Sequence, residues 1–323
     1  MKEIRLSRWS DVERLKELWQ LCFGDPKPFI DYYFAQRFKP EQVAVLLDEN
    51  KVVSMLTMLP VTIVIVKDKE GQNPVKGAML YGIATHPDYQ KRGYAGELMN
   101  WAQGYLGERG VVCTILVPAE PQLFSFYAKQ GYKECFALQE LIVNLDDGVF
   151  LQGAELLPAE PHYYNKLRNN LLTQSLPRGA AFVAYEEAEV AYQKQVSQFS
   201  GADLYTLKVQ GVEGCAAVER LTKEKVLVKE FLFPEAYFEQ GFALLLQFLK
   251  AKTVILRTPA GVKLGDQVLS RELLAGLKIE STHRAFGMLK ITGSFSTGSE
   301  TEVGLGKEII SISKDSYLGL AFD

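Results

Sequence analysis

Hydrophobic positions in the first half of the chain follow two different periods. Between Val12 and Cys22, apolar residues recur every three or four positions, which predicts an amphipathic helix that begins after Ser10. Further helices are predicted over residues 29–38, 93–110 and 121–130. Apolar runs predict strands over residues 43–47, 52–59, 61–66, 75–85, 111–117 and 132–145, with a polar turn over 67–74. This alternation of helices and strands predicts an α/β fold.

The second half repeats the same order of elements more weakly. Predicted helices cover residues 186–197, 234–251 and 271–276, and predicted strands cover 205–209, 215–221, 225–233, 253–258, 278–282 and 286–291. The run KVLVKEFLF takes the place of GAMLYGIATHP, and TVILRTPAG that of VCTILVPAE. We therefore predict a duplicated unit of about 130 residues, although α/β proteins also share this element order by chance.

Composition and charge narrow the classes of protein. Hydrophobic residues make up 47% and charged residues 23% of the 323 residues, which is typical of a globular chain and excludes disorder. The formal net charge is −3. Proteins that hold duplex nucleic acid through counterion release are normally basic, so we expect no nucleic-acid partner.

The N-terminal sequence, the apolar runs and the cysteine and histidine content bear on the cellular compartment and on metal binding. The N-terminus has no apolar signal segment and no apolar run approaches the length of a membrane span, so we expect a cytoplasmic protein with no membrane partner. Four widely spaced cysteines predict reduced thiols, and they are Cys22, Cys113, Cys135 and Cys215. The three histidines are too scattered for a metal site, so we expect no metal.

The segment YGIATHPDYQKRGYA, residues 81–95, carries the clearest chemical signal. A predicted strand ends in it, a predicted helix opens at Gly93, and Gln90 to Ala95 fit Q/R-x-x-G-x-G/A. Free amides and the positive end of a helix dipole both favour anions, and Lys91 and Arg92 add charge. Gly93 has no Cβ to block a phosphate oxygen. The turn predicts a pyrophosphate site, although an ordinary helix N-terminus with solvated basic residues has the same pattern.

This loop and its surroundings resemble the acetyl-CoA site of the GNAT acyltransferases. The resemblance covers residues 1–145 and rests on THPDYQKRGYA, the helix over 93–110, VCTILVPAE and FSFYAKQGYKE. It implies a mixed α/β sheet and acetyl transfer from acetyl-CoA to a primary amine, by direct attack in a ternary complex. The implied donor-binding residues are Ile83, Ala84, Thr85, Gln90, Lys91, Arg92, Gly93, Tyr94 and Ala95. In the strand, Ile83 and Thr85 are expected to act through backbone N–H and C=O groups.

More narrowly, PAEPQLFSFYAKQGY resembles the tandem-GNAT proteins of the bacterial Eis-like group. The implied fold is two tandem GNAT-like acyl-CoA N-acyltransferase domains, the second degenerate, which we place at 1–147 and 148–292 with a tail at 293–323. Eis-like members usually continue into a sterol-carrier-like domain, for which too few residues follow residue 291. In the second half the matching loop is acidic and Gly241 is expected to be a packing glycine, so we assign acetyl-CoA to the first domain only.

Two proton transfers accompany attack of an amine on a thioester. The resemblance assigns protonation of the departing thiolate to Tyr127, for which a purely structural role in the core is the alternative. Two candidates stay open for the base. Glu120 follows the fifth predicted strand, where its carboxylate would also serve as a helix cap. In the Eis-like group the chain end enters the site, and the apolar ending YLGLAF predicts a docked tail, so the C-terminal carboxylate of Asp323 is the second candidate.

The acceptor is defined less well. Aromatic residues at helical spacing lie where the GNAT fold borders its acceptor cleft and are expected in the core; they are Phe23, Phe29, Tyr32, Tyr33 and Phe34. Asp25 and Asp31 are candidates for attracting a cationic amine. We predict a small-molecule or peptide amine as substrate, with the oligomeric state open. The alternatives are a non-catalytic acetyl-CoA-binding sensor or scaffold, and aminoacyl transfer.

Overall fold

A computed structural model describes residues 1–68, 71–145, 155–260, 277–292, 302–305, 308–313 and 316–320. Its helices are α1 (Val12–Phe23), α2 (Lys27–Gln36), α3 (Tyr94–Gly107), α4 (Pro121–Lys129), α5 (Pro161–Ser175), α6 (Glu187–Phe199) and α7 (Phe238–Leu249). Helix boundaries follow local chemistry, since Gly24 ends α1 with a φ of +73° and Pro121 starts α4. No helix in these segments combines the length and apolarity needed to cross a membrane.

The strands alternate with these helices along the chain. They are β1 (Lys2–Leu6), β2 (Val43–Asp48), β3 (Lys51–Asp68), β4 (Gly71–Thr85), β5 (Cys113–Leu116), β6 (Lys133–Asn144), β7 (Glu155–Pro158), β8 (Ala181–Ala184), β9 (Leu204–Val209), β10 (Val212–Arg220), β11 (Lys225–Leu232), β12 (Thr253–Pro259), β13 (Lys278–Ile291), β14 (Glu302–Leu305) and β15 (Glu308–Ser311). This order gives the α/β class that the sequence predicts.

The chain divides into two compact units, the first of which comprises residues 1–62, 75–133 and 288–311. Its strands lie in the order β1-β2-β3-β4-β5. The hairpins are antiparallel, whereas β4 and β5 run parallel, as expected for strands joined through a helix. The end of β13, residues 288–291, pairs antiparallel with β5. Buried side chains of α3, such as Leu98 and Met99, pack with the apolar face of these strands.

The second unit comprises residues 63–74, 134–287 and 312–323. Its strands lie in the order β6-β12-β11-β10-β9-β7, and β11 runs parallel to β12. The core forms around α7, where Phe238, Phe242 and Leu245 are fully buried. A β-hairpin, a strand, a helix and a parallel strand thus follow one another here as they do in the first unit.

The structure corrects several predicted elements. Within residues 67–74, predicted as a polar turn, residues 67–68 belong to β3 and residues 71–74 to β4. A strand is formed by its backbone, which polar residues can extend as apolar ones do. The sequence analysis missed β1, β7, β8 and α5. The helix α5 has no regular apolar spacing in the sequence, because only four of its 15 residues are buried; they are Tyr164, Arg168, Leu171 and Leu172. The predicted helix over 271–276 and the predicted domain boundary at 147 lie outside the described residues.

Candidate functional site

Two parallel strands of the first unit separate at one end. Cα partners between β4 and β5 are Gly77 with Cys113, Ala78 with Thr114 and Met79 with Ile115. The strand β4 continues to Thr85, whereas β5 ends at Leu116. Residues 80–85 therefore extend beyond the pairing with β5, and this part of β4 has a free edge along the described residues.

Backbone directions along this free edge follow from one hydrogen bond. Ser54 on β3 donates its Oγ hydrogen to the carbonyl of Ala84 at 2.7 Å, so the Ala84 carbonyl faces β3. Because backbone groups of successive strand residues point to opposite edges, Ile83 and Thr85 present theirs on the side where β5 has ended. The direction fits the sequence expectation for Ile83 and Thr85 and leaves Ala84 without a direct role.

Two side chains already use the Thr85 carbonyl. Gln90 donates from Nε2 at 3.1 Å, and the Cys22 thiol donates at 3.4 Å. Gln90 therefore joins the end of β4 to the loop that follows, and its side chain is engaged within the protein. Burial raises the pKa of the Cys22 thiol, so this cysteine stays protonated at neutral pH.

Residues 90–93, which we call the connecting loop, lie between a 3-10 turn at Pro87–Tyr89 and α3. Two residues of this loop have left-handed backbone, Lys91 with a φ of +61° and Gly93 with a φ of +83°. No side chain caps the start of α3, and a Cβ at Gly93 would have no heavy atom within 4 Å. The first amides of α3 therefore have no side-chain cap, and an uncapped helix N-terminus favours an anion.

Side chains of the connecting loop differ in what they can offer a ligand. Lys91, Arg92 and Gly93 are exposed. The Arg92 guanidinium lies 5.0 Å from the centre of the Tyr89 ring and donates to the Asp88 carbonyl at 3.0 Å, which holds its charge beside the loop.

The two residues that open α3 contribute differently from the loop. Tyr94 is 7% exposed and donates its hydroxyl hydrogen to the Asp48 carboxylate at 2.7 Å, so its side chain belongs to the core. Ala95 is half-buried in the first turn. Both residues can offer a ligand their backbone amides, in keeping with the small residue of the sequence pattern at position 95.

Tyr127 on α4 is 8% exposed and packs against Tyr132, with ring centres 6.1 Å apart. Burial raises the pKa of Tyr127 from the ordinary value of 10.0 to about 12. The phenol therefore keeps its proton throughout the neutral range and can act as a proton donor. Its neighbour Tyr132 is fixed by a buried network, since its hydroxyl lies 2.8 Å from both Gln103 Nε2 and Thr114 Oγ1.

Of the two candidate bases, Glu120 belongs to the described residues and Asp323 does not. Glu120 is exposed at the N-cap position of α4, and its carboxylate accepts a hydrogen bond from the Gln122 side chain. It does not cap the helix by a side-chain bond to a backbone amide, although a negative charge there suits the helix dipole. Asp323 lies outside the described residues.

Of the aromatic residues expected in the core, Tyr33 and Phe34 are buried and Phe29 and Tyr32 are half-buried, but Phe23 is 44% exposed, so the expectation is wrong for Phe23. Trp19, Tyr33 and Phe34 are at most 5% exposed, and the Trp19 and Tyr81 ring centres lie 5.6 Å apart. The two acidic candidates for amine attraction are engaged elsewhere. Asp25 accepts a hydrogen bond from the Trp19 indole at 2.6 Å, and Asp31 pairs with Lys16 at 2.8 Å.

One protein-family model matches the N-terminal part of this chain. Residues 3–135 match the model of the acetyltransferase (GNAT) domain. The N-terminal part of this chain is a GNAT acetyltransferase domain. This match supports an acyltransferase enzyme, which is what the resemblance of the loop and its surroundings to the GNAT site implies. No match exists among curated proteins.

Solved structures share the fold of almost the whole chain. A GCN5-related N-acetyltransferase from Anabaena variabilis is 15% identical with a TM-score of 0.69, covering 91% of this chain and 73% of that one. Eis1 from Mycobacterium abscessus is 12% identical with a TM-score of 0.59, covering 90% of this chain and 74% of that one. A putative acetyltransferase from Pyrococcus horikoshii is 14% identical with a TM-score of 0.54, covering 97% and 94%. At these identities the likeness concerns the fold, and it extends beyond the GNAT domain into the second half.

The second unit has a shorter connection at the position of the GNAT loop. A 3-10 turn at Glu235–Tyr237 leads directly into α7 at Phe238, whereas four residues separate the corresponding turn from α3. Gly241 in the first turn of α7 packs against an aromatic ring, because a Cβ there would lie 2.6 Å from Phe233. The four-residue connection that holds the left-handed Lys91 and Gly93 in the GNAT domain has no counterpart between β11 and α7.

Three side chains that contact the site were not predicted as site residues. Ser54 contacts Ala84, Cys22 contacts Thr85, and Gln103 contacts Tyr132. Because each contact joins residues distant in sequence, no local motif indicates it. Among the described residues, no group of His, Cys, Asp and Glu could bind a metal ion.

Proposed function

We propose that this protein transfers an acetyl group from acetyl-CoA to a primary amine of a small molecule or peptide, by direct attack in a ternary complex. The observation that carries the proposal is the open, left-handed connecting loop between the free end of β4 and α3. Its backbone amides and neighbouring cations suit a pyrophosphate, which is the most strongly charged part of the donor.

In this proposal the donor is bound mainly by backbone groups. The amides of Gly93, Tyr94 and Ala95 bind the pyrophosphate, with Lys91 and Arg92 adding positive charge. Ile83 offers its N–H and C=O groups along the free edge of β4 to the amides of the pantetheine arm, and Thr85 offers its N–H, because the Thr85 carbonyl already accepts from Gln90 and Cys22. When bound, acetyl-CoA supplies the activated thioester carbonyl. The second unit has no comparable loop, so we assign one donor site to each chain.

Tyr127 is the proposed general acid. Its phenol, with a pKa of about 12, carries a proton at neutral pH that it can donate to the departing thiolate, although the raised pKa makes it a weaker acid than an exposed tyrosine. The proposed base is either Glu120 or the C-terminal carboxylate of Asp323. Glu120 is exposed and hydrogen-bonded to a neutral amide, so its carboxylate is free to accept a proton directly or through water.

The experiment is a comparison of Tyr127→Phe with wild type in an assay for released CoA. The acceptors are a polyamine, an aminoglycoside and a peptide with a free N-terminus. Loss of a general acid is expected to lower kcat by about 100-fold or more, with the acetyl-CoA Kd unchanged. Tyr132→Phe is the matched control, since it removes a nearby hydroxyl that has only structural partners.

Two results would contradict the proposal. If wild-type protein binds acetyl-CoA but acetylates no amine, and Tyr127→Phe changes nothing, the chain is a sensor or scaffold. If Tyr127→Phe and Tyr132→Phe reduce kcat equally, the phenol of Tyr127 has a packing role.

A further inference from the structure

The second unit contains a fully buried ion pair that the proposed reaction does not use. Arg168 on α5 and Glu230 on β11 are both 0% exposed, and Arg168 Nε lies 2.9 Å and 3.0 Å from the two carboxylate oxygens. Removing two charges from water costs more than their attraction alone returns, so such a pair is stable only when its remaining polar atoms are also bonded. The partners of those remaining atoms therefore indicate what the pair is for.

One of those partners lies in residues 316–320, which we call the C-terminal strap. Arg168 Nη2 donates to the Leu318 carbonyl at 3.4 Å, and Nη1 donates to the Val183 carbonyl at 2.8 Å. Tyr185 lies beneath the guanidinium, 5.2 Å from it, and donates its hydroxyl hydrogen to the Gly319 carbonyl at 2.9 Å. The planar guanidinium thus joins a carboxylate, a strand and the strap.

The strap is built into the second unit along its length. Ser316, Tyr317, Leu318 and Leu320 are each at most 1% exposed. The Ser316 carbonyl accepts a hydrogen bond from the Ala137 amide at 3.0 Å, and the Tyr317 amide donates to the Ala181 carbonyl at 2.7 Å. The strap thus adds backbone hydrogen bonds to two different parts of the unit, unlike an ordinary terminus.

Gly319 shows how closely the strap lies on the ion pair. It has a φ of +47°, and a Cβ there would collide with the Glu230 carboxylate and the Tyr317 ring. A side chain at this position would have to displace the strap or the carboxylate. The strap can therefore lie this close to Glu230 only because residue 319 has no side chain.

We propose that Arg168, held by Glu230, is the positioning residue for the C-terminal strap. An apolar pair of similar volume would fill the same core space, but it could not bond the Leu318 carbonyl. The position of the strap matters for catalysis if Asp323 is the base, and to that extent the inference rests on the proposed function.

The test is digestion by carboxypeptidase Y, followed by mass spectrometry of the intact chain. The variants are the double replacement Arg168→Met with Glu230→Leu, which removes both charges together, and Gly319→Ala. Gly201→Ala is the control, since Gly201 also has a positive φ, +79°, but has open space around its Cβ position. Thermal unfolding establishes that each variant is folded.

We expect wild type and Gly201→Ala to resist digestion beyond the last few residues. The double variant and Gly319→Ala are expected to lose the strap about tenfold faster, because proteolysis follows the population of the released state. A folded double variant that digests like wild type would overturn the proposal. If the double variant does not fold, wild-type resistance of Gly319→Ala overturns it.

Steady-state kinetics separate this proposal from the proposed function. If Asp323 is the base, the two strap variants lower kcat while the acetyl-CoA Kd stays unchanged, and removal of residues 321–323 lowers kcat to the same level. Faster digestion with unchanged kcat would support Arg168 as the positioning residue for the strap and would reject Asp323 as the base. Absence of any acetyl transfer in wild type would refute the proposed function alone, because the digestion experiment does not depend on it.

Discussion

Substitution of Gly93 tests whether the left-handed connecting loop binds the donor. A Cβ at this position meets no atom within 4 Å, so steric clash does not contribute to the effect of Gly93→Ala. The φ of +83° does contribute, because an L-residue with left-handed backbone costs about 1–2 kcal/mol. The variant either carries this strain in the folded protein or relaxes into another loop shape.

Gly104→Ala is a matched control within the same helix. Gly104 lies inside α3 with ordinary helical backbone and also has no heavy atom within 4 Å of its Cβ position. Replacing an exposed helical glycine with alanine stabilises a helix by about 0.5–1 kcal/mol. The two variants carry the same chemical change, yet we expect opposite effects on the free energy of unfolding.

The assay combines urea unfolding with calorimetric titration of acetyl-CoA. For Gly93→Ala we expect either a lower free energy of unfolding or, if the loop relaxes, a Kd that is about 5- to 30-fold weaker. Gly104→Ala is expected to be slightly more stable with an unchanged Kd. Wild-type stability together with wild-type affinity in Gly93→Ala would refute the reasoning, since the loop backbone would then be irrelevant to both.

Three further predictions concern buried groups of the GNAT domain. Tyr132→Phe leaves the buried Thr114 hydroxyl with one partner fewer, so we expect the free energy of unfolding to fall by about 1–3 kcal/mol in urea. The raised pKa of Tyr127 stabilises the folded protein below pH 10, and this contribution is lost as pH rises toward about 12; ultraviolet titration of Tyr127→Phe should lack one of the late-titrating phenols of wild type, while Tyr132, Tyr164 and Tyr317 keep theirs. Gly82→Ala would place a Cβ 3.3 Å from the Trp19 ring at a φ of +58°, and we expect a loss of about 1–3 kcal/mol by thermal unfolding. Wild-type stability of Tyr132→Phe or Gly82→Ala would contradict the prediction for that variant, and an unchanged ultraviolet titration of Tyr127→Phe would contradict the second.

Much of the fold follows from local patterns in the sequence. The helix α3 and the strand β5 were predicted because their apolar spacing is regular and their ends carry glycine or polar residues. The connecting loop was predicted because its chemistry lies within six consecutive residues, from Gln90 to Ala95. Its left-handed Lys91 was not, since no local rule requires a lysine to adopt a positive φ.

Non-local contacts explain what the sequence could not show. The pairing of β5 with residues 288–291 joins segments more than 170 positions apart, and the buried Arg168–Glu230 pair joins two elements 62 positions apart. A charged residue is ordinarily assigned to solvent and α5 itself was not predicted, so Arg168 gave no sign of burial. Similarly, the engagement of Asp25 and Asp31 by Trp19 and Lys16 depends on how α1 packs against α2.

The most direct test of the account is a calorimetric titration of acetyl-CoA into wild type and Gly93→Glu. A glutamate at the mouth of the connecting loop adds a carboxylate where the account places the pyrophosphate. We predict one site per chain in wild type and no detectable binding in the variant, with the fold retained in both. Two sites in wild type would contradict the assignment of the donor to the GNAT domain alone, and undiminished binding in Gly93→Glu would contradict the loop as the donor site.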